Sequence, residues 1–243
     1  MAPTVETYPT GAAVISAASD LVASEVRHAV AGSGRCTIVL SGGETPRALY
    51  ARLAARPDGL PWSRIAWFFG DERWVPQDDP LSNYRMADEA LFSHVPISRD
   101  RLFRVPTELA PPAAAAAAYE VALRAQFPGR DWPRFDLALM GLGADGHTAS
   151  LVPGDAALGE RTAWVTATRA GRPVPDRITL TIPVFAHAQT MMFLVAGGAK
   201  ADAVAATLEG PRDPVQWPAQ AVEPIDGRCR WLLDREAAGR LAR

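Results

Sequence analysis

Apolar positions along the chain follow two spacings, one helical and one extended. Residues 11–31 carry apolar side chains at helical spacing up to Gly32, which predicts an amphipathic helix with a glycine stop. Cys36–Leu40 is a short run bounded by Gly34 and by Ser41-Gly42-Gly43, and predicts a buried strand. A helix should follow, with Thr45 as N-cap and Pro46 at its first position, passing through Ala48, Leu49, Tyr50 and Leu53 and stopping before Pro57. Ile65–Phe69 predicts a second strand, closed by Gly70-Asp71-Glu72-Arg73. Asn83–Phe92 predicts a helix opened by Ser82 or Asn83. The run Ala113–Ala118, continuing through Tyr119, Val121 and Leu123, predicts another. Phe135–Met140 is a third buried strand, and Trp164–Thr168, Ile178–Ile182 and Met191–Val195 are three more β-rich runs. Lys200–Leu208 predicts a helix stopped at Gly210-Pro211, and Ala219–Val222 and Arg230–Leu233 are weaker strands.

Strands alternating with helices imply right-handed βαβ units. The fold class predicted is α/β: a single Rossmann-like domain over residues 1–243, with a mostly parallel, doubly wound sheet. Near-continuous apolar strands fit a sheet covered on both faces. Ligands of such sheets bind at the carboxyl ends of the strands, so the chemistry is sought there.

After the first strand, Gly42 and Gly43 let the backbone approach an anion ahead of a helix N-terminus, although an ordinary tight turn has the same spacing. After the second, Asp71-Glu72-Arg73 fits either a solvated charged loop or a carboxylate and guanidinium at a pocket mouth. After the third, Gly141-x-Gly143-x-x-Gly146 imitates a dinucleotide fingerprint. That motif belongs with a first strand and needs an acid at the end of the next one; here Arg169-Ala170-Gly171 follows instead. What remains is a turn presenting Asp145 and His147, a carboxylate and a candidate base. After Met191–Val195, Gly197-Gly198 precede Lys200 in the first turn of a helix, where an ammonium opposes the helix dipole unless an anion is bound. Arg177 is a second candidate cation.

Composition sharpens one of these positions. The chain has 243 residues, 25 basic and 27 acidic, for a net charge of −2, which argues against a nucleic-acid or membrane-surface partner. The basic residues are 24 Arg and one Lys, Lys200. Cys36 and Cys229 lie in apolar runs, no Cys/His cluster or H-E-x-x-H spacing occurs, and neither a signal peptide nor an apolar run of ~18 residues is visible. A reducing, cytoplasmic setting is expected.

The segments Leu40–Tyr50 (LSGGETPRALY), Gly70–Val75 with Asn83, Gly141–Leu151 (GLGADGHTASL), Arg177–Pro183 (RITLTIP) and Gly197–Ala201 together resemble the 6-phosphogluconolactonase family. They come in that family's order and the DGHTAS segment is the most specific. Glu44 replaces a small polar residue of the family pattern and is expected to face solvent. The resemblance implies a metal-free hydrolase without cofactor, on the fold shared with glucosamine-6-phosphate deaminases and ribose-5-phosphate isomerases. It implies 6-phospho-D-glucono-1,5-lactone as substrate and 6-phospho-D-gluconate as product. His147 becomes the general base on water; Gly42, Gly43, Thr45, Arg177 and Lys200 become phosphate and sugar contacts; Asp71, Arg73, Asn83 and Asp145 become pocket residues. A monomer or small homo-oligomer is expected.

Two rivals differ in chemistry. The first is a deaminase or isomerase on the same fold; the deaminases carry a further acid soon after Asp-Gly-His, and here none occurs before Asp155. A non-catalytic sugar-phosphate sensor would need a partner-binding module, and no basic helix or extra domain is visible.

Overall fold

The structure, a computed structural model, describes residues 2–56, 59–169 and 175–242. In chain order the strands are β1 (Thr4–Tyr8), β2 (Cys36–Leu40), β3 (Ile65–Phe69), β4 (Asp71–Arg73), β5 (Leu102–Phe103), β6 (Leu137–Met140), β7 (Val165–Thr168), β8 (Arg177–Leu180), β9 (Thr190–Val195) and β10 (Arg228–Asp234). The helices are α1 (Gly11–Ser33), α2 (Glu44–Ala54), α3 (Asn83–Ala87), α4 (Pro112–Gln126), α5 (Ile182–Ala186) and α6 (Ala201–Leu208).

Seven strands form a sheet in the order β1-β10-β9-β6-β2-β3-β5, with every neighbouring pair parallel. All five residues of β2 and of β3 are buried, as their unbroken apolar character predicts. Helices α1 and α2 pack on each other, with α1 against β1, β2, β9 and β10, while α4 packs on β5, β7 and β8. From β2 the chain steps to β3 and β5 on one side, whereas β6 leads to β9 and β10 on the other. The junction of β2 and β6 is therefore the topological switch point, where the strand ends splay and leave a crevice. Among the described residues no helix is long and apolar enough to cross a membrane.

Several boundaries differ from the sequence expectation, each for a local reason. Helix α1 runs past Gly32 and stops at Gly34, whose φ of 75° is the left-handed conformation of a helix stop. Helix α2 starts two residues early, after Gly43 at φ 103°, so Thr45 lies inside its first turn and is not the N-cap. Pro57, its predicted stop, lies outside the described residues, as do Ala170 and Gly171. Ser82 does cap α3, accepting from the Arg85 N–H at 3.2 Å, but the run to Phe92 continues as a π-helical turn, Asp88–Phe92.

Of the three β-rich runs after residue 160, only the last joins the parallel sheet. β7 and β8 are joined by eight residues, too few for the crossover a parallel pair needs, so they pair antiparallel. With β4 they make a second sheet, β4-β8-β7. Pro183 ends β8 early by placing Ile182 at the start of α5. Ala219–Val222 is not a strand: Pro218 opens a 3₁₀ turn there. β1 was absent from the sequence expectation because it is a largely exposed edge strand without an apolar run.

Candidate active site

Five segments meet at the switch point. A pocket of about 170 Å³ is lined by Ser41, Gly42 and Gly43 from the end of β2, by Gly141, Leu142 and Gly143 from the end of β6, and by His147 beyond them. Asp71 and Arg73 enter from β4, Arg177 from β8, and Lys200 from the turn that opens α6. Thr45, Asn83 and Asp145 are not in its wall.

The first wall depends on a buried tyrosine. Tyr50, from α2, donates its hydroxyl to the Ser41 carbonyl at 2.8 Å and accepts the Ser41 N–H at 3.0 Å. This closes both backbone groups of the residue that leaves the sheet, so Gly42 and Gly43 start from a fixed point. Asn83 packs so closely on Gly42 that any Cβ there would overlap its side-chain oxygen. Glu44 is 90% exposed and pairs with Arg47 at 3.5 Å, pointing away from the pocket as expected.

The second wall is the turn after β6. His147 Nδ1 lies 2.5 Å from Asp145 Oδ1, and the same oxygen accepts the His147 backbone N–H at 3.2 Å. An ionised carboxylate only accepts, so Nδ1 holds the proton between them, and the lone pair of the neutral ring is then on Nε2. Partial burial raises the Asp145 carboxyl, but the His147 charge and its two hydrogen bonds outweigh this and hold it below the ordinary carboxylate value. The sign follows directly. Asp145 stays ionised as pH falls into the range where free carboxylates protonate, so its support of the imidazole is kept there and lost only below it. Followed by NMR, the Asp145 carboxyl should therefore titrate below the ordinary carboxylate value, and titration at or above that value would contradict this dyad.

The two glycine N–H groups of this turn are engaged within it. Gly143 donates to the His147 carbonyl at 2.7 Å and Gly146 to the Gly143 carbonyl at 3.1 Å. Neither is free to meet an anion.

The third wall carries positive charge. Arg73 and Arg177 are directly opposed in the antiparallel pairing of β4 with β8. Like charges in that position repel, and the Nε of each is buried without a hydrogen-bond partner among the described residues. Arg73 reaches the Leu81 carbonyl at 2.6 Å through Nη1. Lys200 makes no ion pair among the described residues. Against these three cations stands the carboxylate of Asp71, which accepts from Ser150 Oγ at 2.6 Å and from Asn83 Nδ2 at 3.2 Å. The pocket thus sets three cations against one carboxylate, with one imidazole at its edge.

Three supporting residues had no role in the sequence reading. Glu72 is buried and accepts from the backbone N–H groups of Arg73, Asn83 and Tyr84 and from the Ser82 hydroxyl, which folds the 73–84 segment into a hoop. Burial pushes its carboxyl up, the three backbone N–H bonds pull it down, and the neighbouring Asp71 adds to the rise; the net shift is upward. Ser150, inside the DGHTAS segment, holds Asp71. Asp234, at the end of β10, accepts the Gly197 N–H at 3.0 Å and so fixes the turn that delivers Lys200. An acid directly after an apolar strand was the available signal for Asp234.

Known proteins share this sequence pattern and fold. The family model for glucosamine-6-phosphate isomerases/6-phosphogluconolactonase matches residues 9–231. A 6-phosphogluconolactonase of Synechocystis sp. is 41% identical over 245 residues, covering 99% of each chain. A crystal structure of a 6-phosphogluconolactonase from Thermotoga maritima matches with a TM-score of 0.83 at 30% identity, over 96% of this chain and 99% of that one. A monomeric glucosamine-6-phosphate deaminase matches with a TM-score of 0.83 at 23% identity, over 98% of this chain and 100% of that one, a likeness of fold alone. By sequence and by architecture, the chain belongs to the glucosamine-6-phosphate isomerase/6-phosphogluconolactonase family.

Proposed function

We propose that the protein hydrolyses 6-phospho-D-glucono-1,5-lactone to 6-phospho-D-gluconate, the lactonase step of the oxidative pentose phosphate pathway. The observation that carries this reading is that His147, held by Asp145, lines the same pocket as three cations that make no ion pair among the described residues. The identity to lactonases over the full chain supports it.

A lactone is an activated ester, and its opening needs water deprotonated, an oxyanion stabilised and a leaving oxygen protonated. His147 Nε2 takes a proton from water as the water oxygen bonds to C1. Electrons of the C1 carbonyl move onto its oxygen. The Gly143 and Gly146 N–H groups are engaged, and the Arg73 guanidinium, which lines the pocket, is the donor assigned to that oxyanion. As the tetrahedral species collapses, the C1–ring-oxygen bond breaks and protonated His147 returns its proton to the ring oxygen. Asp145 holds the imidazole in the tautomer this requires. Lys200, Arg177 and the Gly42-Gly43 turn take the phosphate, whose binding places C1 near the base. Asp71 and Asn83 shape the sugar side of the pocket, while Thr45, inside the first turn of α2 and outside the pocket wall, is given no contact. Residues 1–243 are read as one lactonase domain, cytoplasmic, acting on a small sugar-phosphate lactone as monomer or small homo-oligomer, without cofactor and without nucleic acid.

The test follows acid release from freshly generated phosphogluconolactone, with spontaneous opening subtracted, beside ammonia release from glucosamine 6-phosphate. Catalysed acid release without ammonia is expected. Ammonia release with no catalysed acid would make the protein a deaminase and overturn the reading.

The single lysine gives a further prediction. Lys200 sits where the chain enters α6 through Gly197 at φ 94° and a short 3₁₀ turn. A compact ammonium with rotatable donors fits such a turn, whereas a planar guanidinium needs a longer approach. Lys200→Arg is expected to raise KM for the phosphorylated lactone about tenfold, a loss near 1.4 kcal/mol, with kcat little changed. A silent Lys200→Arg substitution would mean that the turn does not require a compact ammonium, whereas an unchanged KM in Lys200→Ala would place the phosphate elsewhere.

A further inference from the structure

Behind the base turn lies a segment that no motif marks. Trp217 is pressed against Gly146: a Cβ on that glycine would come within 2.5 Å of the indole Cε3 and 3.2 Å of the Trp217 Cα. Gly146 itself holds φ 80°, a conformation that favours glycine. The backbone of the same segment grips the base loop at two points. Ala219 donates its N–H to the Gly146 carbonyl at 3.0 Å, and Gly154 donates to the Val215 carbonyl at 3.1 Å. Residues 215–219 therefore brace both ends of the stretch that carries His147.

The brace is held in turn by one buried amide. Gln220 is 5% exposed. Its Oε1 accepts the Asp213 N–H at 2.6 Å, and its Nε2 donates to the carbonyls of Ala206 at 2.7 Å and Pro211 at 3.0 Å. Both amide hydrogens and the oxygen are thereby used, the satisfied state in which a buried polar group fixes a geometry. Ala206 belongs to α6, the helix that begins directly after Lys200. The segment thus links the element behind His147 to the helix that follows Lys200.

We propose that Trp217 is a positioning residue for His147, acting through Gly146, and that Gln220 locks the brace against α6 so that base and phosphate cation keep their spacing. This rests on the assignment of His147 as the base. Neither residue lines the pocket; loss of the brace lets the 143–147 turn drift and acts on the chemical step. Displacements near 1 Å at a reacting group cost on the order of 10²-fold.

The test compares Trp217→Ala, Trp217→Leu and Trp217→Phe with the wild type. The readouts are kcat, KM, the Kd of 6-phosphogluconate, the thermal midpoint, and the His147 ring titration followed by NMR. Alanine and leucine are expected to lower kcat roughly 10- to 100-fold, with KM and Kd within about threefold of wild type and a displaced ring titration. Phenylalanine, which keeps an aromatic ring against Gly146, should restore kcat and the titration. Leucine covers the case in which alanine fails to fold. Wild-type kcat in a folded alanine or leucine variant would overturn the proposal. So would an unmoved ring titration, or a loss matched by the unfolded fraction. If the wild type shows no lactonase activity, the base assignment fails, and the ring titration alone still decides whether Trp217 positions His147.

Discussion

His147→Ala should lower kcat by about 10²–10⁴-fold while leaving KM for the phosphorylated lactone close to wild type. That range is the usual worth of a positioned general base, or about 3–5 kcal/mol of transition-state stabilisation. KM should hold because the groups assigned to the phosphate, Arg177, Lys200 and the Gly42-Gly43 turn, come from other elements than the His147 turn. A group needed only as the water proton departs contributes nothing to ground-state binding. Residual activity is also expected, since the cations and the pocket remain. The measurement is steady-state hydrolysis of freshly generated lactone, corrected for spontaneous opening at each pH. Unchanged kcat would remove His147 from the mechanism. A tenfold rise in KM at unchanged kcat would instead make it a binding residue.

Much of this site was legible in the sequence because its parts are local. A strand end, two glycines and a helix start form one continuous word, as in Leu40–Tyr50, and the Asp145-Gly146-His147 turn is another. Parallel-sheet topology then brings such words together at the switch point without any further information. What the sequence did not show depends on partners far apart in the chain. The opposition of Arg73 and Arg177 exists only because β8 lies outside the parallel sheet and pairs antiparallel with β4. Period and composition assign those runs to strands but not to a sheet. Glu72 looked like one member of a solvated charged run, yet four hydrogen bonds from residues 73–84 bury it. Thr45 looked like a cap because Thr-Pro is a strong start signal, and a glycine at left-handed φ overrode it. The brace at Trp217 and Gln220 has no periodicity at all, and a strand was expected beside it.

Gly143→Ala isolates the geometry of the dyad from its chemistry. A Cβ at this position would overlap Nδ1 and Cε1 of His147 and lie 2.5 Å from Asp145 Oδ1. Gly143 is not among the glycines at positive φ, so its backbone accepts alanine and the fold should tolerate the change. The methyl group can be accommodated only by rotating the imidazole away or by parting it from Asp145. Either movement takes Nε2 off its line to the water. The expected result is a kcat loss of roughly 10²-fold, with KM nearly unchanged and a thermal midpoint within a few degrees of wild type. Wild-type kcat would mean that the imidazole works from a different position. A double variant sharpens the inference. If the methyl group acts only by displacing His147, then adding Gly143→Ala to His147→Ala removes little more activity, because both substitutions abolish one function. If instead the two losses multiply, Gly143 contributes something separate from the base. The backbone around it, whose N–H bonds the His147 carbonyl at 2.7 Å, would then have to be brought into the mechanism, and Arg73 would cease to be the sole donor assigned to the oxyanion.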